Sequence, residues 1–267
     1  MHDITLIQGI LLVVLAIIVG LDAWLEGLFI FRPIIVSTLT GIILGDVTLG
    51  LVCGGLTELA FAGLTPAGGT QPPNPVLAGI MTPVLAYTAG VDEKTAIGLA
   101  LPFSFLMQYI LLFYYSSFSV FMVKADKYAK EANIKAFSRL NILMLAIVAA
   151  TNGIVVFLCA YVAQSPMRHL VESMPEWLTH GFGVAGGILP AVGFALLLRV
   201  MMKKELIPFL IVGFVFASFI PYSNLLPVAV IGAAFAMYEY FNNQKNKTLA
   251  PAAPSTSSEG EDYSDGI

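Results

Sequence analysis

The sequence predicts an all-α polytopic integral membrane protein with proline-broken and re-entrant helices and an internal repeat. Three observations lead there. Of 267 residues, 58% are hydrophobic and only 11% charged, whereas a soluble domain is nearer a quarter charged, so a soluble enzyme is excluded as the default. Five charge-free runs (Ile4 to Leu21, Thr95 to Val123, Leu140 to Met167, Trp177 to Leu198, Leu206 to Tyr238) are each long enough to cross a hydrocarbon core of about 30 Å. Prolines interrupt two apolar stretches, one in each half of the chain, which is the pattern of repeats that build a transporter.

The first run lacks a basic n-region and leads through Asp22, Trp24 and Glu26 into further apolar sequence without a small-residue cleavage site. It reads as a mature helix, not a signal peptide. Residues 59–91 are apolar but carry prolines between Pro66 and Pro75, and read as a hairpin of half-helices or a re-entrant element. Lys124, Lys127, Lys130, Lys135 and Arg139 then form a basic loop; Arg199, Lys203 and Lys204 form a second, and Lys245 with Lys247 a third. The positive-inside rule places all three in the cytoplasm, with the acid-leaning QSPMRHLVESMPEWLTHG on the outer side. The first four segments carry too little charge to orient the N-terminus. Leu206 to Tyr238 must leave and re-enter the cytoplasm as two short spans that turn near IPYSNLLP. An echo between PAGGTQPPNPV and VAGGILPAVG supports the repeat. Residues 1–241 form the membrane domain, and 242–267, rich in Ser, Pro, Ala and acids, a disordered cytoplasmic tail.

Non-helical backbone survives at bilayer depth only if it is buried in protein or lines a cavity, so residues 63–75 must face something polar. Asn74 before Pro75 reads as a helix start, the amide capping and the proline taking the first-turn position. Glu58, set in LTELAFAGL, is a carboxylate among apolar neighbours, and such acids mark substrate or ion paths. Glu58, Gln71 and Asn74 together offer the donors and acceptors that a sugar needs without the dense charge of an ion site.

Asp22 and Glu26 end the first span, where interfacial placement competes with a binding role. Gln8 and Gln108 lie in spanning helices, where helix-to-helix bonding explains them as well as substrate contact does. Arg32 reads as a structural or lipid-facing anchor. Trp24, Trp177, Tyr109, Tyr114 and Tyr115 read as interfacial belts. Cys53 and Cys159 have neither paired spacing nor His neighbours, so no disulfide, metal or cofactor is expected. No nucleotide-binding or hydrolase motif is present, so the chain has no visible engine of its own. Two functions follow from these residues: a sugar-translocating subunit that binds through Glu58, Gln71, Asn74, Asp22 and Gln8, or an ion-coupled secondary sugar transporter with Glu58 as the proton-coupling acid.

At GIILGDVTLGLVCGGLTELA, residues 41–60, the spacing of Gly41, Gly45-Asp46, Gly50, Gly54-Gly55 and Glu58 resembles the signature of IIC subunits of mannose-family phosphotransferase-system (PTS) sugar permeases. ELAFAGLTPAGG, QPPNP and the acidic EDYS ending resemble the N-acetylgalactosamine/galactosamine branch. The resemblance implies a permease subunit of a bacterial cytoplasmic (inner) membrane that is no enzyme by itself. It implies a IID membrane partner in a trimer of IIC/IID heterodimers, and cytoplasmic IIA and IIB proteins that relay phosphate from phosphoenolpyruvate to the arriving sugar. No nucleic acid is implied. Glu58, Gln71 and Asn74 carry over as sugar ligands, and the amide at Asn74 makes an amino or acetamido sugar the expected substrate.

Overall fold

The computed structural model describes residues 2–64, 71–219 and 226–249, which are helical with short connections. The chain divides into two compact units, Met1–Met201 and Met202–Ile267. The first contains α1 (Leu6–Leu25), α2 (Pro33–Leu44), α3 (Val47–Phe61), α4 (Pro75–Ala89), α5 (Glu93–Lys130), α6 (Ile134–Val156, continued by a π-helical segment Phe157–Val162), α7 (Gln164–Glu172) and α8 (Glu176–Met201). The second contains α9 (Ile207–Phe219) and α10 (Leu226–Leu249), whose Phe209 and Phe235 rings lie 5.9 Å apart.

Among the described residues, α1, α5, α6 with its continuation, and α8 are long and apolar enough to cross a membrane. In contrast α2, α3 and α4 have 12, 15 and 15 residues. At 1.5 Å per residue they reach about 18–23 Å, short of the core thickness. The short elements begin earlier than expected. The hairpin is α2 against α3, closed by the Gly45-Asp46 turn, and the 59–91 stretch contributes the end of α3, the break and α4. The glycines explain the pairing: a Cβ on Gly41 would fall 2.6 Å from the Gly50 Cα, so only bare backbones fit at this crossing. Asp46 starts α3, its carboxylate accepting the Leu49 N–H at 2.9 Å.

Helix α4 is buried around nearly its whole circumference, so it forms the centre of the unit. Its internal Pro83 cannot bond the Gly79 carbonyl. The Ser37 hydroxyl of α2 donates to that carbonyl instead, at 2.6 Å. Of the echo between PAGGTQPPNPV and VAGGILPAVG, the second member lies inside continuous α8, and residues 66–70 of the first lie outside the described residues.

The N-terminal segment, the end of α4 and α7 meet at one end of the unit. Arg168 donates to Asp3, His2 and Thr88, and the Ile4 N–H donates to Gln164 at 2.8 Å. The opposite end carries the first basic cluster, which is not a loop. Lys124, Lys127 and Lys130 extend α5 and Lys135 and Arg139 open α6, joined by a tight turn in which Ala132 has φ 52°. With the basic end cytoplasmic, α1 enters from the outer face. Helix α10 runs past Asn242 to Leu249; the expected turn at 220–225 and the rest of the expected tail lie outside the described residues.

Candidate functional site

The break that starts at Ala62 is fixed where it resumes. The Asn74 N–H donates to the Ser104 carbonyl at 3.1 Å, and the Ser104 hydroxyl donates back to the Asn74 carbonyl at 2.7 Å. Gln108, one turn further along α5, donates its amide to the Gln71 carbonyl. As the sequence implied, Asn74 caps α4: its Oδ1 accepts the Leu77 N–H at 2.9 Å, and Pro75 takes the first helical position. Polar side chains and backbone of α5 thus bond the Gln71 carbonyl and both backbone groups of Asn74.

Against this segment lies a cavity of about 400 Å³, a size suited to a small ligand. Gln71, Pro72, Pro73, Asn74 and Val76 form one wall; Gly20, Trp24, Glu26, Arg32 and Pro33 form another. Met107, Leu111 and Tyr115 of α5 and Val148 and Asn152 of α6 close it. Trp24 stacks on Tyr115 with ring centroids 5.8 Å apart and meets Phe118 edge-on at 5.9 Å. From Met107 to Tyr115 the cavity lies roughly 21–33 Å along α5 from its start, around the middle of the charge-free run Thr95 to Val123. Such a chamber pairs hydrogen-bonding groups with flat aromatic faces, as a sugar ring with polar edges and C–H faces requires.

A family model described as "PTS system sorbose-specific IIC component" matches residues 6–238. The N-acetylgalactosamine permease IIC component 1 of Escherichia coli (strain K12) is 63% identical over 267 residues, covering 100% of both chains. A solved structure titled "Structure of membrane protein" superposes with a TM-score of 0.80 at 30% identity, covering 89% of this chain and 96% of the other. A cryo-EM structure of the mannose transporter ManYZ with microcin E492 gives a TM-score of 0.57 at 30% identity, covering 90% of this chain and 96% of the other. The chain belongs to the PTS sugar-permease IIC family. It is a multi-pass IIC component of the bacterial cytoplasmic membrane, a transport subunit that works with IID, IIB and IIA components and is not a catalyst alone.

In this IIC component two of the five candidate site residues, Gln71 and Asn74, line the cavity. Glu58 stands behind it: its carboxylate pairs with Arg32 and accepts the Ile34 N–H at 3.2 Å. It is therefore not the lone acid the sequence suggested, and Arg32 fills the structural role among the two expected for it, pairing with Glu58 at the cavity wall. Asp22 is spent on backbone, accepting the N–H groups of Leu28 and Ile30, each at 2.7 Å, and of Phe31 at 3.2 Å. It thereby folds the loop that carries Glu26 and Arg32 to the cavity. Gln8 is committed too: its Oε1 accepts the Thr5 N–H at 2.9 Å, while its Nε2 donates to the otherwise unpaired carbonyls of Ile43 and Leu44 at 3.2 and 3.3 Å.

Trp24 and Tyr115, read as belt residues, line the cavity, and Tyr114 is buried with its hydroxyl on Thr151. Asn152 was missed by sequence reasoning. Its signal was available: an amide inside the charge-free run Leu140 to Met167.

Proposed function

We propose that this IIC component binds N-acetylgalactosamine or galactosamine in the cavity beside the 71–75 segment and carries it to the cytoplasmic face, where phospho-IIB phosphorylates it. The observation that carries the reading is the cavity: polar side chains and a Trp24–Tyr115 stack lie against the proline-rich 71–75 segment. The full-length relative named as an N-acetylgalactosamine permease supports the choice of sugar. Within the site, Gln71 and the free amide N–H groups of Asn74 serve as sugar ligands. Glu58 acts through Arg32, holding a guanidinium at the cavity wall whose donors match sugar hydroxyls. The assembly is a trimer of IIC/IID heterodimers.

Proton coupling through Glu58 is disfavoured. Both of its carboxylate oxygens are already engaged in holding the chain, one paired with Arg32 and the other accepting the Ile34 N–H. The test is energetic. Vesicles holding the IIC/IID complex should accumulate the amino sugar only when phosphoenolpyruvate and the cytoplasmic phosphocarriers are supplied, and should yield sugar phosphate. Accumulation of unmodified sugar that collapses on adding an uncoupler would sink the reading.

A further inference from the structure

Several polar groups around the cavity only donate or are already engaged, while the Glu26 carboxylate, the Gln71 amide and the Tyr115 hydroxyl can accept. Arg32 can only donate, the Trp24 indole can only donate, and Asn74 has spent its carbonyl on the α4 cap. The Glu58 carboxylate is held by Arg32 and Ile34, and the Asp22 carboxylate by three backbone N–H groups. A sugar hydroxyl or acetamido N–H bound here must find an acceptor, and beside Glu26, Gln71 and Tyr115 the wall contributed by α6 provides a buried one.

Asn152 is only 5% exposed and lines the cavity. Its Nδ2 donates to the Val148 carbonyl at 2.9 Å, which fixes the amide plane. Its Oδ1 accepts no hydrogen bond among the described residues, yet no side-chain polar atom there is both sealed and unpaired. The open space that this oxygen meets is therefore the cavity. Helix α1 makes room for it: a Cβ on Gly20 would fall 2.5 Å from the Asn152 Cγ and 2.8 Å from both amide heteroatoms. No residue other than glycine lets the amide lie flat at this position.

We propose that Asn152 is a substrate ligand, its Oδ1 accepting a hydrogen bond from an O–H or N–H of the bound amino sugar, and that Gly20 is the residue that positions it. The assignment rests on the reading that this cavity holds the sugar, and the experiment separates the two. Binding of labelled N-acetylgalactosamine is measured on the intact IIC/IID complex for Asn152→Ala, Asn152→Leu, Gly20→Ala and the Gly20→Ala/Asn152→Ala double variant, with Gln71→Ala and Arg32→Gln as references. Each Asn152 or Gly20 single change should weaken binding about tenfold, the scale of one hydrogen bond. The double variant should lose no more than either single change, because Gly20 acts only through the Asn152 amide. Asn152→Leu keeps the side-chain volume, so it carries the measurement if Asn152→Ala fails to assemble. Binding within twofold of wild type for the Asn152 variants, with Gln71→Ala and Arg32→Gln both weakened, overturns the assignment and leaves the cavity reading standing. Losses that multiply in the double variant overturn the positioning role of Gly20. Unchanged binding in every variant, the references included, overturns the cavity reading itself.

Discussion

At the scale of single residues, the site is built by separating groups that hold the chain from groups left to face a ligand. Asn74 does both: its carbonyl caps α4 while its N–H groups remain for the cavity. This division makes Asn74→Ala ambiguous, since loss of the cap alone costs about 1 kcal/mol. Asn74→Asp keeps the capping oxygen and removes the donors. Thermal unfolding of the Asp variant should match wild type to within a few degrees while amino-sugar affinity falls about tenfold; unchanged affinity would remove Asn74 from the site. The sequence made Gln71 and Asn74 legible because amides beside prolines in an apolar run have few other uses. It did not reveal that Arg32 and Glu58 pair, because the two lie 26 positions apart. Nothing local in the sequence distinguishes Asp22, committed to backbone, from Glu26, which lines the cavity.

At the scale of elements, the glycine-spaced stretch 41–60 turns out to specify a helical hairpin more than a binding site. Gly41 and Gly50 let α2 and α3 touch, Asp46 starts α3, and only Glu58 at its end approaches the cavity through Arg32. The position of the hairpin was not legible, because runs of apolar residues do not reveal where a short helix stops inside protein. Prolines in buried helices impose a second requirement, met at Pro83 by Ser37. Ser37→Ala should leave the Gly79 carbonyl unpaired in a dry interior, destabilising the complex by roughly 1–3 kcal/mol. In a Pro83→Ala background, where the helix supplies its own N–H, the same change should cost less than half as much. Thermal melting of the four proteins in detergent decides this, and an equal cost in both backgrounds would show that Ser37 does not replace the missing bond.

At the scale of the whole molecule, the spanning helices were legible from composition because charge-free runs of this length have few alternatives, whereas the side on which the chain begins was not. The contacts of Arg168 and Gln164 with residues 2–4 place the N-terminus opposite the basic turn between α5 and α6, and the positive-inside rule then predicts that it lies outside. In intact cells, a membrane-impermeant maleimide should label Asp3→Cys, while Lys127→Cys should react only after permeabilisation. The reverse pattern would overturn the orientation.

Those same outer-face contacts bear on how the protein is made. The Ile4 N–H finds its partner 160 residues downstream, on Gln164. At a synthesis rate of about 5–20 residues per second, the first helix waits roughly 8–30 s before the residues that hold its outer end have been translated. Until then its start is held by the Thr5–Gln8 capping box and by the His2 N–H on the Tyr87 carbonyl, and the arrival of α7 adds the Gln164 and Arg168 contacts that complete the outer end. Helix α7 is therefore a late clasp for the earliest part of the chain.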